Sequence, residues 1–213
     1  MNIIFEGIDG VGKSTLINEL INDLNKKKEI VRYIDEITQE SPISNILSQM
    51  LSGDPFFSLN TTFPTSIFES LLLAADFHYK QEKYKYENGF NLYDRDFLSI
   101  LSYQKEILKN DYNNYMDFYE HFKQIVMFNL KTIDLLVYVS VPIELSIERI
   151  TLRDNIEYQE KEKEFLKTLK IALENELIPG LEKNNIKVLK LDGRETPKNN
   201  ISKIYKEIGY EKN

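Results

Sequence analysis

Residues Gly7-Ile8-Asp9-Gly10-Val11-Gly12-Lys13-Ser14 fit the pattern Gly-x4-Gly-Lys-Ser, whose chemistry is the cradling of phosphate groups. Glycines let the backbone turn so that successive amide N–H groups converge on one point. Lys13 is long enough to reach the β- and γ-phosphates of a nucleoside triphosphate, and the Ser14 hydroxyl is a hard oxygen ligand suited to Mg²⁺. Gly7, Gly10, Val11, Gly12, Lys13, Ser14 and Thr15 are therefore the candidate triphosphate site. An apolar strand, Asn2 to Glu6, precedes the loop, and an amphipathic helix begins near Lys13. The free amides of that helix's first turn add donors and a partial positive charge. A glycine-rich turn carrying a solvated lysine is the competing reading, and the strand-before, helix-after context weighs against it.

Two further groups carry charge suited to phosphoryl transfer. Asp94-Arg95 closes an apolar run, Asn91-Leu92-Tyr93, and in an open parallel sheet ligands sit beyond the carboxyl ends of the strands. There the Asp94 carboxylate can hold Mg²⁺ or its waters, and the Arg95 guanidinium can fork onto a phosphate. Taken alone the dipeptide reads as a surface ion pair. Arg149 and Arg153 lie four apart after Pro142 and project from one helix face. Surface salt bridges to Glu148 and Glu157 are the alternative for Arg149.

The elements that must position these groups follow from periodicity. Short apolar runs near 2–6, 30–34, 90–93, 134–140 and 186–191 alternate with longer helical patterns, which predicts an α/β fold. The expected architecture is a three-layer sandwich around a five-stranded parallel sheet. Helices are expected after Lys13, after Pro42, from about 64 to 87, from about 97, and from 112 to 130. In the last of these, Tyr115, Phe118, Tyr119, Phe122, Val126 and Leu130 form an apolar stripe, read as core or dimer surface. No repeat, low-complexity tract or linker interrupts 1–213, so one domain is expected.

Composition excludes several function classes. The 213 residues carry a net charge of -7, which argues against a general nucleic-acid or membrane-surface binder. No apolar run is long enough to span a bilayer. With no cysteine there are no disulfides or thiolate sites, and His78 and His121 do not read as a metal cluster. The opening Met1-Asn2-Ile3-Ile4-Phe5 enters a strand directly, without a basic leader, so a cytosolic protein is expected.

Phe5-Glu6-Gly7-Ile8-Asp9-Gly10-Val11-Gly12-Lys13-Ser14-Thr15 resembles the opening of thymidylate kinases. Asp94-Arg95, Ser99 and Tyr103-Gln104 resemble their Asp-Arg-Tyr-x-x-Ser-x-x-Ala-Tyr-Gln segment, with Asp96 and Ser102 as departures. Leu72-Leu73-Ala74-Ala75-Asp76 resembles the stretch introducing their base-binding helix. Asp134 to Pro142 resembles their fourth strand, with Ser140 where Asp is usual. The resemblance runs through nearly the whole chain and points to the thymidylate kinase and deoxynucleoside kinase group of P-loop kinases.

That resemblance implies a MgATP-dependent kinase of a small nucleotide or nucleoside. Lys13 and the loop amides are assigned to the donor phosphates, Arg95 to the acceptor phosphate or the transferred group, and Arg149 and Arg153 to closure of a short helical lid near 143–157. Asp9 is implied near the acceptor's sugar. Asp94, Phe77, Ser99, Tyr103 and Gln104 are the implied acceptor-side contacts, and a homodimer is possible. The first expectation for the acceptor is dTMP. A nucleoside 5′-hydroxyl is the alternative, and Glu6 would then act as general base; an ATP-binding switch and a kinase of a non-nucleotide small molecule are the other readings.

The acceptor side departs from the pattern. Phe77 stands where an Arg usually reads thymine, and Asp35-Glu36-Ile37-Thr38-Gln39-Glu40 contains no arginine. His78 fits an amphipathic helix as well as base recognition. Replacing Lys13 by Ala should abolish phosphoryl transfer with the fold retained, checked by ADP release alongside circular dichroism.

Overall fold

The computed structural model describes residues 1–51, 66–84, 88–128, 133–155 and 157–210. Five strands, β1 (Asn2–Glu6), β2 (Val31–Ile34), β3 (Phe90–Asp94), β4 (Leu135–Ser140) and β5 (Val188–Asp192), form one sheet in the order β2-β3-β1-β4-β5. Every pairing is parallel. The expected α/β fold with a five-stranded parallel sheet flanked by helices is therefore present. The predicted strands match in number and order. The largest shift is in β5, which begins at Val188 rather than 186.

The central strands read as continuous apolar runs because a parallel strand flanked by helices is enclosed on both faces. Ile3, Ile4 and Phe5 of β1, Leu92 and Tyr93 of β3, and Leu135 to Val139 of β4 are all buried. The register sets Phe5 level with Asp94 and with Val137. The carboxyl ends of β1 and β3 thus finish side by side, and Glu6, Asp94 and Arg95 emerge together.

The described helices are α1 (Lys13–Lys26), α2 (Ser44–Leu51), α3 (Ser66–Lys83), α4 (Phe97–Asp111), α5 (Tyr115–Met127), α6 (Ile143–Asp154), α7 (Glu160–Ala172), α8 (Ile178–Lys183) and α9 (Pro197–Glu207). The chain forms two compact units. One comprises Met1–Ile34, Glu87–Arg95 and Thr132–Asn213; the other comprises Asp35–Tyr86 and Asp96–Lys131. The first holds the whole sheet with α1 and α6 to α9. The second is helical and holds α2 to α5.

In the sheet unit, α1 buries Leu16, Ile17, Leu20 and Leu24, the stripe its spacing predicts. A π-helical turn, Leu173–Leu177, joins α7 to α8. Pro179 lies just beyond it and lacks the N–H that a regular helix would require, which accounts for the irregularity. Thr196 caps α9 by accepting from the Asn199 N–H, with Pro197 at the first turn where a missing N–H does no harm.

In the helical unit, Tyr119, Phe122 and Val126 of the aromatic stripe are fully buried. That part of the stripe is core, whereas Leu130 lies outside the described residues. Lys80 is also enclosed. Its Nζ donates to the Glu36 carbonyl at 2.7 Å and faces Asp96 Oδ1 at 3.6 Å, with both side chains essentially unexposed. Asp96, a departure from the family pattern, thus balances a buried cation within this unit. Among the described residues, no helix is long and apolar enough to cross a membrane. Removing one partner of a buried pair strands the other charge, at about 3–5 kcal/mol. Asp96→Ala should lower stability by about that amount, read from urea denaturation midpoints.

Candidate active site

The phosphate loop leaves β1 through Gly7, with φ 142°, and turns again at Gly10, with φ 73°. Both angles lie where side chains strain the backbone. Space is equally restrictive. A Cβ on Gly7 would come within 2.3 Å of the Val139 carbonyl oxygen, and one on Gly10 within 2.4 Å of the Ser146 carbonyl oxygen. The Ser146 hydroxyl donates to the Asp9 carbonyl and ties the loop to α6. The loop then feeds α1, whose opening amide groups lack helical acceptors and can receive an anion.

Lys13 is 6% exposed. Its Nζ donates to the Gly7 and Ile8 carbonyls at 2.8 and 3.0 Å, so the ammonium is held over the loop. Burial lowers its pKa to about 8, and the Arg95 guanidinium contributes in the same direction; Asp9, Asp94 and Glu6 oppose the change. Glu6 is fully enclosed at the end of β1 and does not line the phosphate cavity. Its demonstrable influence here is on the Lys13 charge.

Ser14 donates to Asp94 Oδ2 at 3.0 Å, and the Tyr33 hydroxyl donates to the same oxygen at 3.2 Å. Two hard oxygen groups from α1 and β3 thus meet beside the loop, a donor set that fits Mg²⁺. Arg95 follows at φ 65°, an uncommon conformation for a residue with a side chain. Its N–H donates to the Phe5 carbonyl at 2.9 Å, which locks the turn to β1. The guanidinium pairs with Asp9 across 86 residues of sequence. A strained backbone held by a ladder bond and an ion pair fixes a cation beside the loop.

The two arginines of α6 differ. Arg149 donates to the Gly10 and Val11 carbonyls at 3.4 Å, and to Gly193 at 3.2 Å. Its bonds go to loop carbonyls, and it lies over the phosphate loop. Arg153 is more exposed and binds Asp154 in bidentate fashion at 2.6 and 2.8 Å. Both line a cavity of about 580 Å³ together with Gly12, Lys13, Ser14 and Thr15.

Another part of the lining was not anticipated. It is formed by the segment after β5, Gly193-Arg194-Glu195-Thr196-Pro197, and by Asn200 of α9. Arg194 clamps Asp192 through Nε and Nη2, which lowers the Asp192 pKa to about 2. The carboxyl-end rule that singled out Asp94-Arg95 applies equally to β5, and a glycine followed by a capping Thr-Pro was the available signal.

The candidate acceptor-side residues Phe77, Ser99, Tyr103 and Gln104 all belong to the helical unit. Phe77 is fully buried and packs edge-on to His78 and against Phe97. His78 Nε2 lies 2.8 Å from the Ile125 carbonyl on α5. Ser99 is buried on α4, and Tyr103 is half-buried. Gln104 donates to Glu69 at 2.8 Å and accepts from Ser70 at 2.6 Å, within a polar cluster between α3 and α4.

Because Lys13 must be protonated to hold phosphate, triphosphate affinity should be level below pH about 8. Above that pH it should fall, by up to roughly tenfold per unit. Glu6→Gln removes a charge that raises the Lys13 pKa, so the fall should begin at lower pH. Titration calorimetry with ATP across pH 6.5–9.5 checks both the sign and the shift.

Comparison with known proteins agrees with this geometry. The thymidylate kinase family profile matches residues 5–195. The chain is 31% identical over 160 residues to the Methanobrevibacter smithii protein described as "Probable thymidylate kinase", covering 75% of this chain and 74% of that one. It is 40% identical over 74 residues to a thymidylate kinase of Prochlorococcus marinus, about a third of each chain. Among solved structures, deoxyadenosine kinase from M. mycoides with bound dATP shares the fold, with a TM-score of 0.62, 20% identity, and coverage of 98% of this chain and 100% of that one. The form of that enzyme with products dCMP and a flexible dCDP superposes equally well, with 99% of its chain covered. The chain therefore belongs to the thymidylate kinase family, within the thymidylate and deoxynucleoside kinase group, and is a P-loop kinase of a small nucleoside or nucleotide substrate.

Proposed function

We propose that this enzyme uses MgATP to phosphorylate the 5′-hydroxyl of a deoxynucleoside. One observation carries the reading. The chain has only five arginines, Arg32, Arg95, Arg149, Arg153 and Arg194, and none falls within 35–86 or 96–131. Those stretches make up the helical unit, which holds Phe77, Ser99, Tyr103 and Gln104 of the implied acceptor-side residues, whereas Asp9, Asp94 and Arg95 belong to the sheet unit. A monophosphate acceptor brings close to two negative charges, and bidentate arginine contacts are the usual means of holding them. Here the unit's buried cation, Lys80, is already balanced by Asp96. Arg95 is paired with Asp9, and Arg149 with loop carbonyls. A neutral nucleoside needs no such counter-charge. The shared scaffold with a protein described as deoxyadenosine kinase supports the same reading.

The donor side retains what phosphoryl transfer requires, alignment and charge neutralisation. Lys13 and the loop amides hold the β- and γ-phosphates, and Arg149, already over the loop, meets charge spreading onto the transferring group. Ser14 and Asp94 would hold Mg²⁺, which when bound offsets charge on the phosphate oxygens. A 5′-hydroxyl must also lose its proton. Glu6 was the carboxylate expected for that task, but it is enclosed and away from the cavity surface. Asp9 lines the cavity and is the better placed proton acceptor, while Glu6 keeps Lys13 charged.

A second reading, dTMP as acceptor, is favoured by the family match itself and by the names of the curated relatives. ADP release from MgATP, measured across deoxynucleosides and their monophosphates, separates the two. Stimulation by one or more deoxynucleosides is expected. Stimulation by dTMP alone would establish the second reading, and a flat response to every acceptor would leave a nucleotide-binding switch.

A further inference from the structure

β2 lies at the edge of the sheet beside β3, and its register pairs Tyr33 with Leu92. Side chains alternate across a strand, so Tyr33, Leu92 and Asp94 share one face of the sheet. Asp94 is therefore the diagonal neighbour of Tyr33, a separation that an aromatic side chain can span. The Tyr33 hydroxyl donates to Asp94 Oδ2 at 3.2 Å, and the Ser14 hydroxyl donates to the same oxygen at 3.0 Å. An ionised carboxylate oxygen offers about two lone-pair sites, so Oδ2 is fully used. Among the described residues Oδ1 accepts no hydrogen bond, and Asp94 remains 8% exposed. Tyr33 itself is 47% exposed, so water is an alternative partner for its hydroxyl and the bond adds little to folding.

From this we infer that Tyr33 is a positioning residue for Mg²⁺: it holds Asp94 Oδ2 and leaves Oδ1 to the metal or its waters. The inference rests on the reading of Ser14 and Asp94 as the metal-holding pair. Ser14 reaches Oδ2 from α1 and Tyr33 reaches it from β2, so the oxygen is held from two elements. One donor alone would let the carboxylate swing about that single bond and exchange its oxygens. The Ser14 hydroxyl has one hydrogen and two lone pairs. With the hydrogen committed to Oδ2, the lone pairs are left for a cation at the cavity that Ser14 lines. Groups that hydrogen-bond to a metal-binding carboxylate orient it, and losing one typically weakens metal affinity about ten- to a hundredfold. Tyr33 thus acts through Asp94, without contact to the phosphates.

Titration calorimetry of the full chain with the non-hydrolysable β,γ-imido analogue of ATP, in Mg²⁺ and again in EDTA, tests this. The ratio of the two affinities is the metal's contribution. In Tyr33→Phe, which keeps the ring, that ratio should fall about tenfold, with metal-free affinity changed less than about twofold. Mn²⁺ titrated into the analogue complex and followed by electron paramagnetic resonance should show the same loss of metal affinity. The melting temperature should stay within about 2 °C of the wild-type value. In an Asp94→Asn background the Tyr33 change should cause no further fall in the ratio. An unchanged ratio in Tyr33→Phe would overturn the inference, as would equal losses with and without metal, or an equal fall in both backgrounds. Absence of any Mg²⁺ effect in the wild-type protein would overturn the metal reading of Ser14 and Asp94, and this inference with it. Because no acceptor is present, the deoxynucleoside assignment stands or falls separately.

Discussion

A lysine held inside the protein, where little water can stabilise its charge, organises the sheet unit. Lys13 stays cationic only because the Gly7 and Ile8 carbonyls accept from it and because Glu6, Asp9 and Asp94 surround it. Each of those acids comes from the end of a parallel strand or from the loop that follows. The parallel register, with Phe5 level with Asp94, brings them to one place. Arg95 adds a second cation nearby, which would be costly without its ion pair to Asp9. The result is a mixed-charge cluster in which, on the proposed reading, an incoming triphosphate would substitute for carbonyl and carboxylate partners rather than for bulk water. Such preorganised electrostatics are the main resource of phosphoryl-transfer enzymes.

Cation placement also separates the two units in character. The sheet unit holds all five arginines, and four of them lie on the loops and helix that surround the triphosphate cavity or its edge. The helical unit relies on buried carboxylates, hydroxyls and amides: Glu69, Ser70 and Gln104 in one cluster, Asp76 accepting from the Thr38 N–H in another. A dense charge needs fork-shaped cations, whereas a neutral, hydrogen-bonding ligand needs donors and acceptors set at fixed angles. The distribution is consistent with one anionic and one neutral substrate.

Substrate choice in such a fold can change while the chemistry is kept. On the proposed reading, the loop, Lys13 and the oxygen pair Ser14–Asp94 would be constrained by the geometry of a phosphate chain, which is common to all donors. Asp96 illustrates the other freedom. It departs from the family pattern, and its carboxylate balances Lys80 deep in the helical unit, where both groups are almost wholly enclosed. Phe77, at a position where the family usually carries a base-reading Arg, packs into the core against Phe97. Both residues serve internal support, Asp96 through a buried ion pair and Phe77 through a ring contact.

What the sequence by itself determined was local. Gly7 to Ser14 are contiguous, so their spacing alone specified a loop that cradles phosphate, and the apolar runs specified a parallel sheet because enclosed strands must be apolar along their whole length. Asp94-Arg95 was legible for the same reason, lying at the end of such a run. Partnerships between residues far apart in the chain were not legible. That Arg149 reaches the Gly193 carbonyl, that Glu6 is enclosed while Asp9 lines the cavity, and that Asn200 donates to the Asp192 carbonyl all depend on how helices seat against the sheet. Only the tertiary structure decided these, because hydrogen-bond direction and burial are properties of packing, and packing has no period in the sequence.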